Sequence, residues 1–193
     1  MALSRRQFVA YAPASGLALD VGDIAVSPPS AGASDAPDPP GLLAGQALTS
    51  PTSAQRSFVA ADLSATTAAW KICVVHRPPY SSTTSTSSSQ PVLTNLVPLL
   101  DQYGVTLCLS GNSHNYERSH PLRMGVIDPT GVTYVVSGGG GNGLNSFQAG
   151  QPFWSAYRAA RFEYVQCSVS PTRLVLSAYS DTGQLFDSTT WTR

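Results

Sequence analysis

The sequence predicts an α/β domain in which two β-sheets pack as a sandwich with helices outside. Three observations lead there. Helix-like and strand-like segments alternate between Gln55 and Leu109, and strand-like segments then follow one another to Thr192. The length of 193 residues suits one domain, burying roughly 70% of the unfolded surface. Finally, two of the three histidines fall at the ends of Val/Leu-rich runs, where a parallel sheet presents side chains to a shared crevice.

Taken in order, residues 16–26 (GLALDVGDIAV) read as a strand ending in a turn. Residues 27–54 hold Pro28, Pro29, Pro37, Pro39, Pro40 and Pro51 among Ser, Ala and Gly, too few large apolar side chains to anchor a core. The organisation expected is therefore an N-terminal segment, 1–54, with a linker or disordered loop, and a folded part, 55–193. Phe58, Val59, Ala61 and Leu63, leading to Trp70, give a short amphipathic helix. Lys71–Val75 is a buried strand. Ser81–Ser89 is an unbroken run of nine Ser/Thr residues and reads as a flexible loop. Leu93, Leu96, Val97, Leu99 and Leu100 form one helical face over Val92–Tyr103, with Gly104 as its stop. Pro98 should kink that helix or mark its true start. Val105–Leu109 is the next strand.

Beyond Arg118 the strands are Gly131–Ser137, Phe162–Val169, Arg173–Tyr179 and Leu185–Thr192, with a hairpin turn at Asp181-Thr182-Gly183. The run Gly138–Gly143 has backbone N–H groups that could cradle a phosphate, but it lacks the Lys-Ser/Thr of a P-loop, so a tight backbone passage is its expected role.

Composition excludes several functions. Charged residues make up 11% and the net charge is zero, so no clustered basic surface is available to bind a nucleic acid backbone. No apolar run reaches the roughly 18 residues of a membrane span. Cys73, Cys108 and Cys167 show no Cys-x-x-Cys spacing and read as buried thiols. No Gly-x-Ser-x-Gly elbow supports a serine hydrolase. Ser4-Arg5-Arg6-Gln7-Phe8 is similar to a twin-arginine export signal, which would point to a secreted or periplasmic location, or else is a plain basic pair at the start of the chain.

The chemistry is concentrated in "WKICVVHRPPYSS" and "LSGNSHNYERSHPL". The first resembles a Trp-x-x-Val-x-x-His-Arg-Pro-x-Tyr block, and the second a Gly-His-x-His-x-Tyr-Glu-Arg block. Both belong to the purple acid phosphatase branch of the calcineurin-like metallophosphoesterases. "GVTYVVSGGGGNGL" and "DTGQLFDSTTWTR" resemble the glycine-rich strand and closing hairpin that follow in that family. The likeness covers residues 55–193. It implies a four-layer α/β/β/α metallophosphoesterase sandwich, here its C-terminal part, truncated on the N-terminal side.

The resemblance also implies a reaction and a site. In that family two metal ions, Fe with Zn, Mn or Fe, bridge a hydroxide that attacks the phosphorus of a small phosphate ester in line. His76 would ligate the second metal and His114 the first. Asn112 stands where the family has a histidine, and its neutral amide oxygen is a poorer ligand than imidazole. "VGDIAVS" matches either the block whose aspartate bridges the metals, making Asp23 the bridge, or a later strand with no ligand. No Asn-His pair of the family's next block is present. Tyr80 is a candidate for the substrate pocket, or else packs under the Ser/Thr loop. Arg118 is a candidate for substrate contact, or else pairs with Glu117 behind the site. His120 is expected at the surface. The function expected is phosphate-monoester hydrolysis; the alternative is a catalytically inactive protein with the same fold.

Overall fold

The computed structural model describes residues 18–21 and 50–193. Helix α1 (Ala54–Ala65) starts where the Ser53 hydroxyl accepts the Arg56 N–H at 3.2 Å, and it buries Val59 and Leu63, one turn apart. It stops short of Trp70 because Thr66 is extended and its hydroxyl takes the Ala68 N–H, a local bond that competes with the helix. The single helix expected over 92–103 is two. Helix α2 (Gln90–Asn95) carries Pro91 in its first turn, and α3 (Val97–Gln102) carries Pro98 there, where a missing N–H costs nothing. Gly104, at φ 61°, closes α3, and the Val105 N–H bonds back to the Leu100 carbonyl at 2.9 Å.

Eleven strands form the sheets among the described residues. The five-stranded sheet runs β2 (Ile72–Val75), β3 (Leu107–Ser110), β7 (Thr133–Ser137), β4 (Tyr116–Ser119), β8 (Ser155–Ala159). Its first three strands are parallel, and β4 runs antiparallel to both of its neighbours, β7 and β8. A second sheet runs β1 (Ala18–Val21), β9 (Glu163–Val169), β10 (Arg173–Ser180), β11 (Leu185–Thr192). Strand β1 joins β9 in parallel, while β9, β10 and β11 form an antiparallel meander whose turn holds Gly183 at φ 81°. Strands β5 (Leu122–Arg123) and β6 (Val126–Ile127) make a small ribbon.

Alternation along the strands divides the core in two. Ile72, Leu107, Leu109, Tyr116 and Val135 face Val165, Cys167, Leu174, Leu176 and Ala178 between the sheets. Cys73, Cys108 and Tyr134 face the opposite way, onto Val59, Leu63, Val92, Leu96 and Leu100 of the helices. Cys73 lies opposite Cys108 in the β2–β3 register, and all three cysteines are free and buried. Burial pushes Cys167 up to about 12, and a hydrogen bond to Cys73, followed by burial, raises Cys108. The mixed α/β sandwich agrees with the expectation, and the described residues form three layers: helices, five-stranded sheet and four-stranded sheet. Among them no helix is long and apolar enough to cross a membrane.

Candidate functional site

Because β2, β3 and β7 are parallel, their C-terminal ends open at one edge of the sheet. His76 follows β2, Gly111–His114 follows β3 and Gly138–Gly143 follows β7. The three turns are stitched together. The Gly111 N–H donates to the His76 carbonyl at 3.1 Å, and the Gly138 N–H donates to the Asn115 carbonyl at 3.0 Å. A Cβ on Gly138 would sit 2.1 Å from the Ser113 carbonyl oxygen, so only glycine lets these turns approach so closely.

His114 is held at three points. Its N–H donates to Asn145 Oδ1 at 2.8 Å, its carbonyl accepts the Asn145 N–H at 2.9 Å, and its Nδ1 lies 2.9 Å from the Gly143 carbonyl oxygen. A carbonyl can only accept, so Nδ1 carries a proton, and in the neutral ring this leaves the lone pair on Nε2, the form suited to a ligand or base. His76 is exposed. Asn112 sits at φ 61°, in the left-handed region that Asn tolerates better than most side chains.

The two-metal centre implied by the resemblance needs more donors than these. Among the described residues no group of three or more His, Cys, Asp or Glu side chains could hold a metal ion. Asp23 lies outside the described residues. Two imidazoles and an amide do not amount to a dinuclear centre, which needs carboxylates or further imidazoles to balance its charge.

The Ser/Thr run corrects the expectation of a flexible loop. Ser81, Ser82 and Thr83 are buried. Ser113 Oγ donates to the Thr86 carbonyl at 2.6 Å and lies 3.0 Å from Ser81 Oγ. Thr83 bridges to Phe147 in antiparallel fashion, and the Thr84 N–H donates to the Ser146 carbonyl at 3.0 Å. The anchor is Glu117, 1% exposed. Its carboxylate accepts the Ser82 N–H at 2.7 Å, the Ser82 hydroxyl at 2.6 Å and the Ser155 hydroxyl at 2.8 Å.

Arg118 and Glu117 do not pair, because consecutive residues of β4 point to opposite faces. Arg118 turns into the inter-sheet layer, where its Nε and Nη2 donate to Asp187 at 2.6 and 2.8 Å. The Tyr116 hydroxyl donates to the same carboxylate at 2.7 Å. This bidentate bond holds the Arg118 guanidinium charged, while burial, reinforced by Asp187, pushes the Tyr116 phenol well up. Arg118 is thus committed to a structural ion pair rather than to a substrate pocket. Tyr80 is likewise committed to packing. Its ring lies 4.7 Å from Tyr134 and 5.4 Å from Trp154, on the helix-side core. Burial first, then Asp101, raises its phenol. His120 is half-buried, with its N–H on the Trp154 carbonyl at 2.8 Å.

Two residues that sequence reasoning passed over belong here. Asn145 gave no signal, being one polar residue in a loop. Glu163 gave one, a lone acid opening an apolar strand. Glu163 is 6% exposed and accepts the Gly139 N–H at 2.9 Å and the Ser137 hydroxyl at 2.8 Å. Burial raises its carboxyl from 4.5 to about 7 against those two bonds. The folded state therefore holds a proton that the unfolded chain releases between those values. Its stabilising contribution is complete below pH 4.5 and is lost as pH rises to about 7. Urea midpoints are expected to fall over that interval by up to about 3 kcal/mol in stability, and Glu163→Gln should flatten the slope. An unchanged slope in the variant would assign it to other groups.

The family described as iron/zinc purple acid phosphatase-like protein C matches residues 131–188. Acid phosphatase A of Cryphonectria parasitica is 36% identical over 106 residues, 49% of this chain and 21% of its own length. Purple acid phosphatase 18 of Arabidopsis thaliana is 33% identical over 115 residues, 56% of this chain and 26% of its own. A protein named probable inactive purple acid phosphatase 1, from the same plant, is 31% identical over 139 residues, 63% of this chain and 23% of its own. The chain thus spans about a quarter of the curated relatives it matches. Among solved structures, a purple acid phosphatase from yellow lupin (Lupinus luteus) seeds superposes with a TM-score of 0.70 at 26% identity. The overlap covers 74% of this chain and 28% of that one.

Proposed function

Because this chain belongs to the purple acid phosphatase-like branch of the calcineurin-like metallophosphoesterases, we propose that it carries part of the site of a metal-dependent phosphate-monoester hydrolase of the acid phosphatase type. His76 and His114 are its two imidazole positions, and the donors that complete the centre come from outside residues 50–193. Asp23 is the candidate among them. The observation that carries this reading is the anchoring of His114, whose Nδ1 proton is held by the Gly143 carbonyl so that Nε2 stays free to bind. The twin-arginine-like segment Ser4–Phe8 supports action outside the cytoplasm.

A second reading has its own support. Asn112 replaces an imidazole, and no described carboxylate joins the histidines. On that reading the protein keeps the fold without the catalysis, as the name of one relative says of that relative.

Metal analysis of the purified full chain, paired with a p-nitrophenyl phosphate assay, separates the two. The hydrolase reading expects bound metal and turnover that His114→Ala abolishes. Sub-stoichiometric metal, with no turnover above that variant, would overturn it in favour of the inactive fold.

A further inference from the structure

The contacts of Asn145 reach beyond loop packing. Its Oδ1 accepts the His114 N–H at 2.8 Å, and its own N–H donates to the His114 carbonyl at 2.9 Å. Both backbone polar groups of His114 are therefore taken by one residue. Two positions earlier, the Gly143 carbonyl meets His114 Nδ1 at 2.9 Å. A single three-residue segment, Gly143–Asn145, thus fixes the main chain of His114 and the proton of its ring. The Thr86 hydroxyl lies 3.2 Å from the same Asn145 oxygen. That contact ties in the loop after the first histidine.

We propose that Asn145 is a positioning residue for His114: its side chain holds the backbone at the distance where Gly143 captures Nδ1–H, and so fixes one imidazole tautomer with Nε2 unprotonated. The physical step is short. A neutral imidazole chooses its tautomer by the hydrogen bond that one nitrogen makes. The Gly143 carbonyl provides that bond only while the two loops stay in register. Without the Asn145 side chain, the His114 N–H loses its acceptor, and the remaining main-chain bond acts as a hinge. The proposal's relevance to catalysis rests on the reading of His114 as a functional imidazole, but its physical content does not.

The test is the nitrogen-15 spectrum of His114 in the full chain at alkaline pH, where the imidazole is neutral. The wild type is expected to show the Nδ1–H form alone. Asn145→Ala should lose that single-tautomer signature and show both forms. Asn145→Asp keeps an oxygen at the same place and should restore it. A role in stability alone would lower the melting temperature of Asn145→Ala and leave its tautomer unchanged. Should that variant fail to fold, Asn145→Ser makes the same measurement, its side chain being too short to span the contact. A wild-type spectrum dominated by Nε2–H, or one identical to that of the alanine or serine variant, would overturn the proposal. Phosphatase assays on the same samples are a separate arm. Absence of turnover in the wild type would remove the hydrolase reading while the spectra still decide the role of Asn145.

Discussion

Arg118→Met is expected to destabilise the protein by about 4 kcal/mol, among the largest losses any single substitution here should cause. The reason is what stays behind. The Asp187 side chain is 8% exposed and that of Arg118 is 17% exposed, so the pair is withdrawn from water in the layer between the sheets. Removing the guanidinium leaves a buried carboxylate with the Tyr116 hydroxyl as its remaining side-chain partner. Burying both charges was itself costly, so removing both should be far milder than removing one. The double variant Arg118→Met/Asp187→Leu is accordingly expected to recover most of the loss. Urea denaturation of the two single variants and the double variant completes the cycle. A loss below about 1 kcal/mol for Arg118→Met would show the pair to be as weak as a surface ion pair.

Glu117→Ala is expected to cost a similar amount, about 3–4 kcal/mol, through a different mechanism. Its carboxylate has no direct cation among the described residues and is held by hydrogen bonds instead. Alanine would strand the Ser82 N–H and the hydroxyls of Ser82 and Ser155, at roughly 1–3 kcal/mol for each group that finds no new partner. The damage should be local. Ser82 starts the loop that carries Thr86 to Ser113 and Asn145, so hydrogen exchange in residues 81–89 should accelerate well ahead of the sheet. Glu117→Gln keeps one acceptor oxygen and should fall between. Unchanged protection in this loop would mean that Thr83 and Thr84, through their contacts with residues 146 and 147, hold it without the carboxylate.

These two residues also mark where the sequence stops being readable. The strands that position the site were legible because their information is local: Ile72–Val75 and Leu107–Ser110 are short apolar runs, and Leu185–Thr192 follows a turn with its glycine in place. The histidines were legible as a pair because both follow such runs. Glu117 and Arg118 were not, since a strand of four residues with polar side chains on both faces shows no alternation of polarity. Their partners lie 35 and 69 residues away. The order of the Ser/Thr run was hidden for a similar reason. Composition argues for solvation, and what overrides it is the buried Glu117, along with Ser113 and Asn145, none of them near it in sequence. The break between α2 and α3 was half-visible, since Pro98 announced it and the packing of Leu96 and Leu99 fixed where it fell.

The distribution of thiols gives the molecule a built-in reporter. Cys73 and Cys108 lie beneath the helices, and Cys167 lies between the sheets, so each hydrophobic layer holds a free sulfhydryl shielded from water. An alkylating reagent reaches the first two when the helices lift and the third when the sheets part. The order in which the three are labelled therefore records the order in which the layers separate, using only the native side chains.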